Sequence, residues 1–443
     1  MSLSRKLQGT ARIVRELPGQ RRVQYLPREA LEALRDARAR EIVQFAAATV
    51  PHYRELFRRE GIDPREIDTT DQLARLPLLT KEELQAAPER FVSERVRRVA
   101  SLMLSTTGTT GVPVSIIHDR ASLLANIAYA ERERVVEARL AGSRRYSILQ
   151  ITREGATPRK IRAFYDRNAF RPGRPLHEPL SVAEPFERII EAIERIRPDV
   201  VWSYAAFLET FFRTIGERDR LGHVPKVIVY GGGGMSDEGR ALLEERFGVA
   251  VLSQYAAIEA LKIAFLCEER RGFHLHEDLA DVRLLDASGA PAAPGESGEV
   301  VLSNLVNRGT VLLNYRLGDM ATAQSDPCPC GRTSAVLADV DGRVDEIVVL
   351  PSGELVLTVQ VWDAVAGHPE IVRWQLVQLA ADRFQLRAVG AIPGAVAAGR
   401  VAIAASLRSS LPGASVDIVE VTEIPLRGGK FRPIVPLETE SGA

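Results

Sequence analysis

The chain has 443 residues, 45% hydrophobic and 26% charged, an ordinary globular composition with length for about three domains. Lys plus Arg and Asp plus Glu both number 58, so the formal net charge is zero, and bulk electrostatics hold neither nucleic acid nor a membrane as partner. No apolar run approaches the ~20 residues of a membrane helix, the basic segment 1–22 lacks the apolar centre of a signal peptide, and three cysteines make no disulfide scaffold; a cytoplasmic location is expected.

Residues 28–50 predict a helix, with Leu31, Leu34, Ile42 and Phe45 at helical spacings, ended by Pro51. Thr80 is a good N-cap, and Glu83 completes a capping box. Residues 101–104 and 114–117 read as short strands on either side of a Gly/Thr loop, and 122–141 as a helix. An amphipathic helix follows over 185–196. The strand 227–230, glycines 231–234, helix 236–247 and strand 249–253 then alternate, which predicts a mostly parallel sheet with sites at the carboxyl ends of its strands. From Asp281 the text changes to short β-like runs, 282–285, 298–302 and 311–313, read as an antiparallel region. The expected fold is α/β: a large N-terminal domain, 1–342, carrying that antiparallel region, and a small mobile C-terminal α+β domain, 343–443.

Five segments carry chemistry. Thr106, Thr107, Gly108, Thr109, Thr110 and Gly111 form a loop whose backbone N–H groups and hydroxyls suit phosphates. It lacks the Gly-Lys-Ser/Thr of a P-loop, which excludes a P-loop kinase. Gly231, Gly232, Gly233 and Gly234 follow a strand and let a flat ligand lie on bare backbone. Tyr255 and Glu259 stand after the next strand and offer an aromatic face and a carboxylate. Asp319, in Tyr-Arg-Leu-Gly-Asp, and Arg343, in Gly-Arg-Val-Asp345, supply an acceptor for ribose hydroxyls and a cation for phosphate or ribose oxygens. Lys430, beside Gly428 and Gly429, is a cation on a loop able to move.

In this order the segments resemble the core motifs of the adenylate-forming superfamily. The closer resemblance is to the branch of phenylacetate–CoA ligase, coenzyme F390 synthetase and CapK-like proteins. Segments 50–54, 61–64, 76–81, 267–278 and 328–332 look like that branch as well, so the resemblance spans nearly the whole chain. It implies a ligase that uses ATP and Mg²⁺ to convert a small carboxylic acid, expected to be aryl, to acyl-AMP. The acyl group then passes to a thiol, with coenzyme A first, or else to a carrier protein or an amine; a further alternative is a nucleotide-binding homologue that has lost catalysis. By position, residues 106–111 would hold the phosphates, Gly231 to Gly234 with Tyr255 the adenine, Glu259 the Mg²⁺, Asp319 the ribose and Arg343 the nucleotide. Asp345 would be the hinge, and Lys430 would stabilise the adenylation transition state. Ala256, Ile258 and Val112 depart from the family's usual residues, which leaves the acyl pocket open to change; Tyr129, Tyr204 and Phe207 are aromatic candidates for it.

All three cysteines, Cys267, Cys328 and Cys330, fall in or beside the antiparallel region. With His274 they make a thiolate–imidazole set that suits Zn²⁺, and the related branch holds a structural zinc in such a set. His276, two residues on, is the substitute fourth ligand; three buried reduced cysteines are the simpler alternative. A monomer or homodimer is expected.

Overall fold

The computed structural model describes residues 3–96, 100–105, 114–152, 157–170, 177–216, 220–235, 237–343, 348–352, 355–356, 361, 364–365, 367–368, 370–424, 433–435 and 437. Helix α1 (Leu3–Val23) opens the chain, where the sequence showed only a basic segment. Next come α2 (Arg28–Thr49) and α3 (Pro51–Glu60), divided at the extended Val50 that Pro51 requires before it. Helix α4 (Lys81–Ala86) carries the expected capping box: Thr80 accepts from the Glu83 N–H while Glu83 accepts from the Thr80 N–H. A hairpin, β1 (Leu102–Ser105) and β2 (Ser115–His118), brackets the Gly/Thr loop, and residues 106–111 themselves lie outside the described residues.

Helices α5 (Arg120–Tyr129) and α6 (Glu131–Leu140) replace the single helix expected over 122–141, divided at Ala130. Then the chain alternates: β3 (Ile148–Thr152), α7 (Thr157–Asn168), β4 (Leu180–Ser181), α8 (Phe186–Ile196), β5 (Val200–Tyr204), α9 (Ala205–Ile215), β6 (Val227–Gly231), α10 (Asp237–Ala241), β7 (Ala250–Tyr255). After β7 the direction reverses through β8 (Ala264–Leu266), β9 (Phe273–Leu275), β10 (Ala280–Leu285), β11 (Ser297–Asn304), β12 (Tyr315–Ala323) and β13 (Val336–Arg343). These strands form one sheet of eleven in the order β10-β11-β12-β13-β9-β8-β7-β6-β5-β3-β4. Pairs from β4 to β7 are parallel and those from β7 to β10 antiparallel, so the two regions read separately in the sequence are one sheet that changes sense at β7.

Strand alternation sorts the core. Val200, Val227, Val229 and Leu252 face α2, α3 and α6, while Val201, Ile228 and Val251 face α8 and α9 with Phe211, Phe212 and Phe247. The run 311–313 is buried but is no strand. Its backbone goes elsewhere: Val311 N–H donates to the Phe91 carbonyl, Leu313 N–H to the Tyr53 hydroxyl, and the Leu312 carbonyl accepts from Asn304. Beyond β13, β14 (Val348–Val349) pairs with β15 (Leu355–Val356). Strands β16 (Ile371–Ala380), β17 (Arg383–Gly390), β18 (Ser415–Glu420) and β19 (Ile434–Val435), with α11 (Ala395–Ser410), enclose a core of their own around Leu376, Phe384, Leu386, Ile403 and Leu407. Among the described residues no helix is long and apolar enough to cross a membrane.

One buried carboxylate works against this fold at neutral pH. Asp281 on β10 is 6% exposed, and its Oδ2 has no hydrogen-bond partner; Arg283 stands 3.9 Å away, too far to donate. Burial raises its pKa to about 6, Arg35 and Arg283 offsetting only part of that. A carboxyl whose folded pKa lies above its unfolded value favours folding while protonated, so its contribution falls as pH rises from about 4 to 6. Asp281→Asn is therefore expected to raise stability at pH 8 by ~1–3 kcal/mol and to change it little at pH 4, read by urea denaturation at both pH values.

Candidate functional site

The site lies where β5, β6 and β7 end. β5 ends in Tyr204, and β6 ends in Gly231. Gly232 has φ +76°, and a Cβ there would sit 3.1 Å from the Tyr204 ring, so there is little room for a side chain between this turn and that ring. Trp202 meets Tyr204 edge to face and donates its indole N–H over 3.4 Å to Gln254. The glycines therefore lie beside an aromatic wall at the carboxyl ends of parallel strands, the expected place for a ligand.

Tyr255 ends β7, and its hydroxyl donates to Asp319 Oδ2 at 2.8 Å. Asp319 comes from β12, 64 residues on, and pairs in register with Arg343 of β13. Thus the structure brings Tyr255, Asp319 and the Arg343 backbone to one place at the end of the sheet. Asp345 and Lys430 lie outside the described residues, as does the phosphate loop.

The turn between β7 and β8 is held by buried polar groups that sequence reasoning missed. His118, at the end of β2, donates Nε2–H to the Ile258 carbonyl at 2.6 Å; burial lowers its pKa to about 4, so it stays neutral. Asn304 donates to the Glu259 carbonyl at 2.8 Å. Leu261 adopts φ +65°, a conformation a branched residue keeps only under such constraint. Lys262 then closes the turn on Glu133 of α6, with Nζ 2.7 and 2.6 Å from its two oxygens. The attraction of Lys262 and the His276 hydrogen bond outweigh burial and pull the Glu133 pKa down to about 2. The only signal in the sequence was a charged residue three positions after Glu259.

Glu259 is 6% exposed, buried more than a carboxylate on an open turn would be. The guanidinium groups of Arg38 and Arg132 lie 5.9 and 5.7 Å from the centre of the Tyr129 ring, and Phe207 stacks on Phe211 at the edge of the core beneath the opposite face of the sheet. Of the three aromatic pocket candidates, Tyr204 is the one placed against the glycine turn after β6.

Cys267, His274, Cys328 and Cys330 converge, with ligand atoms all within 4.8 Å of one another. Cys267 Sγ and Cys328 Sγ are 3.6 Å apart, and Cys330 Sγ is 3.3 Å from His274 Nε2. Tetrahedral zinc, with bonds of ~2.3 Å to sulfur and ~2.0–2.1 Å to nitrogen, needs separations of about 3.3–3.8 Å, which these two pairs meet, and three thiols with one imidazole are a donor set that suits the ion. His274 Nδ1 also finds Ser334 Oγ at 3.3 Å, a typical outer partner of a ligating histidine. His276 is not the substitute ligand expected: it donates Nε2–H to Glu133 at 3.2 Å and accepts at Nδ1 from Arg132. Two residues apart, the histidines serve different networks because His276 already lies beyond the end of β9.

No family model matches the chain. It is 28% identical over 370 residues to the phenylacetate-coenzyme A ligase of Thermus thermophilus, covering 80% of this chain and 79% of that one. Identity to the phenylacetate-coenzyme A ligase of Aromatoleum evansii is 23% over 373 residues, with the same coverage. Among solved structures it is similar to a 2-hydroxyisobutyryl-CoA ligase in the postadenylation state in complex with 2-HIB-AMP. There the TM-score is 0.76 and the identity 17%, over 94% of this chain and 92% of the other.

The Glu133–Lys262 pair is testable on its own. Glu133→Gln leaves a buried ammonium without a counterion and is expected to cost ~3–5 kcal/mol in urea denaturation. The double variant Glu133→Gln, Lys262→Met removes the orphan charge and should recover most of that loss.

Proposed function

We propose that the chain belongs to the adenylate-forming superfamily, in its phenylacetate–CoA ligase-like branch, and that it activates a carboxylic acid with ATP and passes the acyl group to coenzyme A. The observation that carries this reading is the Tyr255–Asp319 hydrogen bond beside the glycine turn after β6. It puts an aromatic face, bare backbone and a carboxylate able to accept ribose hydroxyls at one strand end. Those are the groups a nucleotide needs, and the motif order supplies the rest.

In this reading Gly231 to Gly234 and Tyr255 hold the adenine, Asp319 the ribose and Arg343 the nucleotide, while residues 106–111 cradle the phosphates. Glu259, on the turn clamped by His118 and Asn304, would hold Mg²⁺, which screens phosphate charge as the carboxylate attacks. Aryl acids are the proposed substrates, since Tyr204 and Trp202 form the nearest wall. Residues 343–443 act as the small domain, with Asp345 as hinge, a division favoured by the separate core of its described part. Lys430 comes to the α-phosphate only when that domain closes, so it acts on kcat for the first step. Zinc at Cys267, His274, Cys328 and Cys330 would be structural, tying the β8–β9 turn to the connection between β12 and β13. Burial and the neighbouring thiols raise the Cys267 pKa to about 12, so binding the ion requires proton release.

The direct test is product analysis: with ATP, a suitable aryl acid and coenzyme A, AMP, pyrophosphate and the acyl thioester should form together. ADP in place of AMP would contradict the reading, and an amide or carrier-bound product would move the acceptor to the alternatives. Lys430→Ala should cut acyl-AMP formation by ~10²–10³, while transfer from pre-formed acyl-AMP proceeds near the wild-type rate. Equal loss in both half-reactions would make Lys430 structural. Purified protein should carry about one zinc per chain, and Cys328→Ser should lose metal and thermal stability together; elemental analysis without zinc would refute the metal site.

A further inference from the structure

Helix α1 has one covered face and one bare one. Gly9, Ile13, Gln20 and Val23 are buried against α5, α6 and α7. A Cβ on Gly9 would sit 2.1 Å from the Asn168 carbonyl oxygen, so this face is pressed onto the end of α7 and the helix cannot roll. On the opposite side Leu3, Leu7 and Val14 are 65%, 54% and 52% exposed. Their spacing of four and seven residues keeps them on one line of the helix. Phe170 extends that line: it is 44% exposed, its backbone N–H donates to Thr10 Oγ1, and the Lys6 ammonium lies 5.3 Å over its ring. These four are among ten large apolar side chains standing exposed in the described residues, so the patch is a concentration and not scatter.

Cations frame the stripe. α1 holds Arg5, Lys6, Arg12, Arg15, Arg21 and Arg22 against one acid, Glu16, six positive charges less one negative. Arg21 is held by Glu131 at 2.6 Å and Arg15 stands 3.8 Å from Glu16, but the Arg15 side chain is 76% exposed and Arg22 is exposed beside the stripe. A net charge of zero for the whole chain conceals this local excess.

We propose that this face of α1 docks on an anionic lipid surface, Leu3, Leu7, Val14 and Phe170 entering the interface and Lys6, Arg15 and Arg22 meeting lipid phosphates. An apolar line flanked by long cations on a helix fixed from behind is the arrangement that lies in a membrane interface without spanning it. A second copy of this chain fits less well, because pairing two α1 faces opposes two positive helices. An acidic protein would use the cations but leaves a convex ridge of apolar side chains without a groove. The inference does not rest on the ligase reading.

The test is co-sedimentation of the full chain with vesicles of phosphatidylcholine alone and with phosphatidylserine added to ~30%. Binding to the anionic vesicles should be at least ~10-fold stronger and should weaken with salt. Leu7→Glu with Val14→Glu, and separately Arg15→Glu with Arg22→Glu, should each abolish binding while the melting temperature and acid-dependent AMP formation stay unchanged. Failure of the wild type to sediment with either vesicle overturns the proposal. So does undiminished binding by the Leu7/Val14 variant. Dimerisation in light scattering that this variant removes would assign the face to a second copy, and equal binding to poly-glutamate would assign it to an acidic protein; either result overturns the lipid assignment.

Discussion

The sheet can change sense only if the chain turns sharply between β7 and β8, and that turn carries Glu259, the carboxylate proposed for Mg²⁺. Its carbonyls point inward at Ile258 and Glu259, and buried carbonyls without donors cost ~1–3 kcal/mol each. His118 from β2 and Asn304 from β11 supply those donors, so the turn is built from three distant parts of the chain. Position follows from this. Once the turn is pinned, Tyr255 at its start can reach Asp319 on β12, and the backbone of Glu259 is fixed just beyond the strand end.

The buried carboxylates of Glu133 and Asp278 are held by pairing. Glu133 has Lys262 and His276, and Asp278 has Arg132 and Arg38, whose attraction holds its carboxyl far below the ordinary range. Arg132 also reaches Gln20 of α1, and Arg28 of α2 reaches Glu277. The first helices are thereby keyed to the segment that follows β9. Such networks add little net stability, but removal of one member is costly, so they fix one arrangement of helices on the sheet. Asp281 is the exception, with guanidinium groups nearby but none close enough to bond.

Local signals were legible in the sequence wherever the chemistry is local. Thr80 with Glu83 announced a capping box, and glycines after an apolar run announced the turn after β6. The set of Cys267, His274, Cys328 and Cys330 was readable because cysteine is rare here and its partners are few. What failed depended on partners far away in sequence. The apolar run 311–313 looked like a strand, but its hydrogen bonds go to Phe91, Tyr53 and Asn304. His276 looked equivalent to His274 until Glu133 claimed it. His118, Asn304 and Lys262 carry no motif at all; each matters through one contact made by the fold. α1 was invisible as a helix because its apolar residues are divided between a buried face and a bare one, which blurs the periodicity.

The central claim is that acid activation takes place at the turn after β7 and precedes any acceptor. Exchange of labelled pyrophosphate into ATP, measured with carboxylic acids and with neither thiol nor amine present, tests it most directly. The account predicts exchange that depends on the acid, supported best by aryl acids, and lost in Asp319→Ala. Exchange supported by no acid, in protein shown to bind ATP, would contradict it.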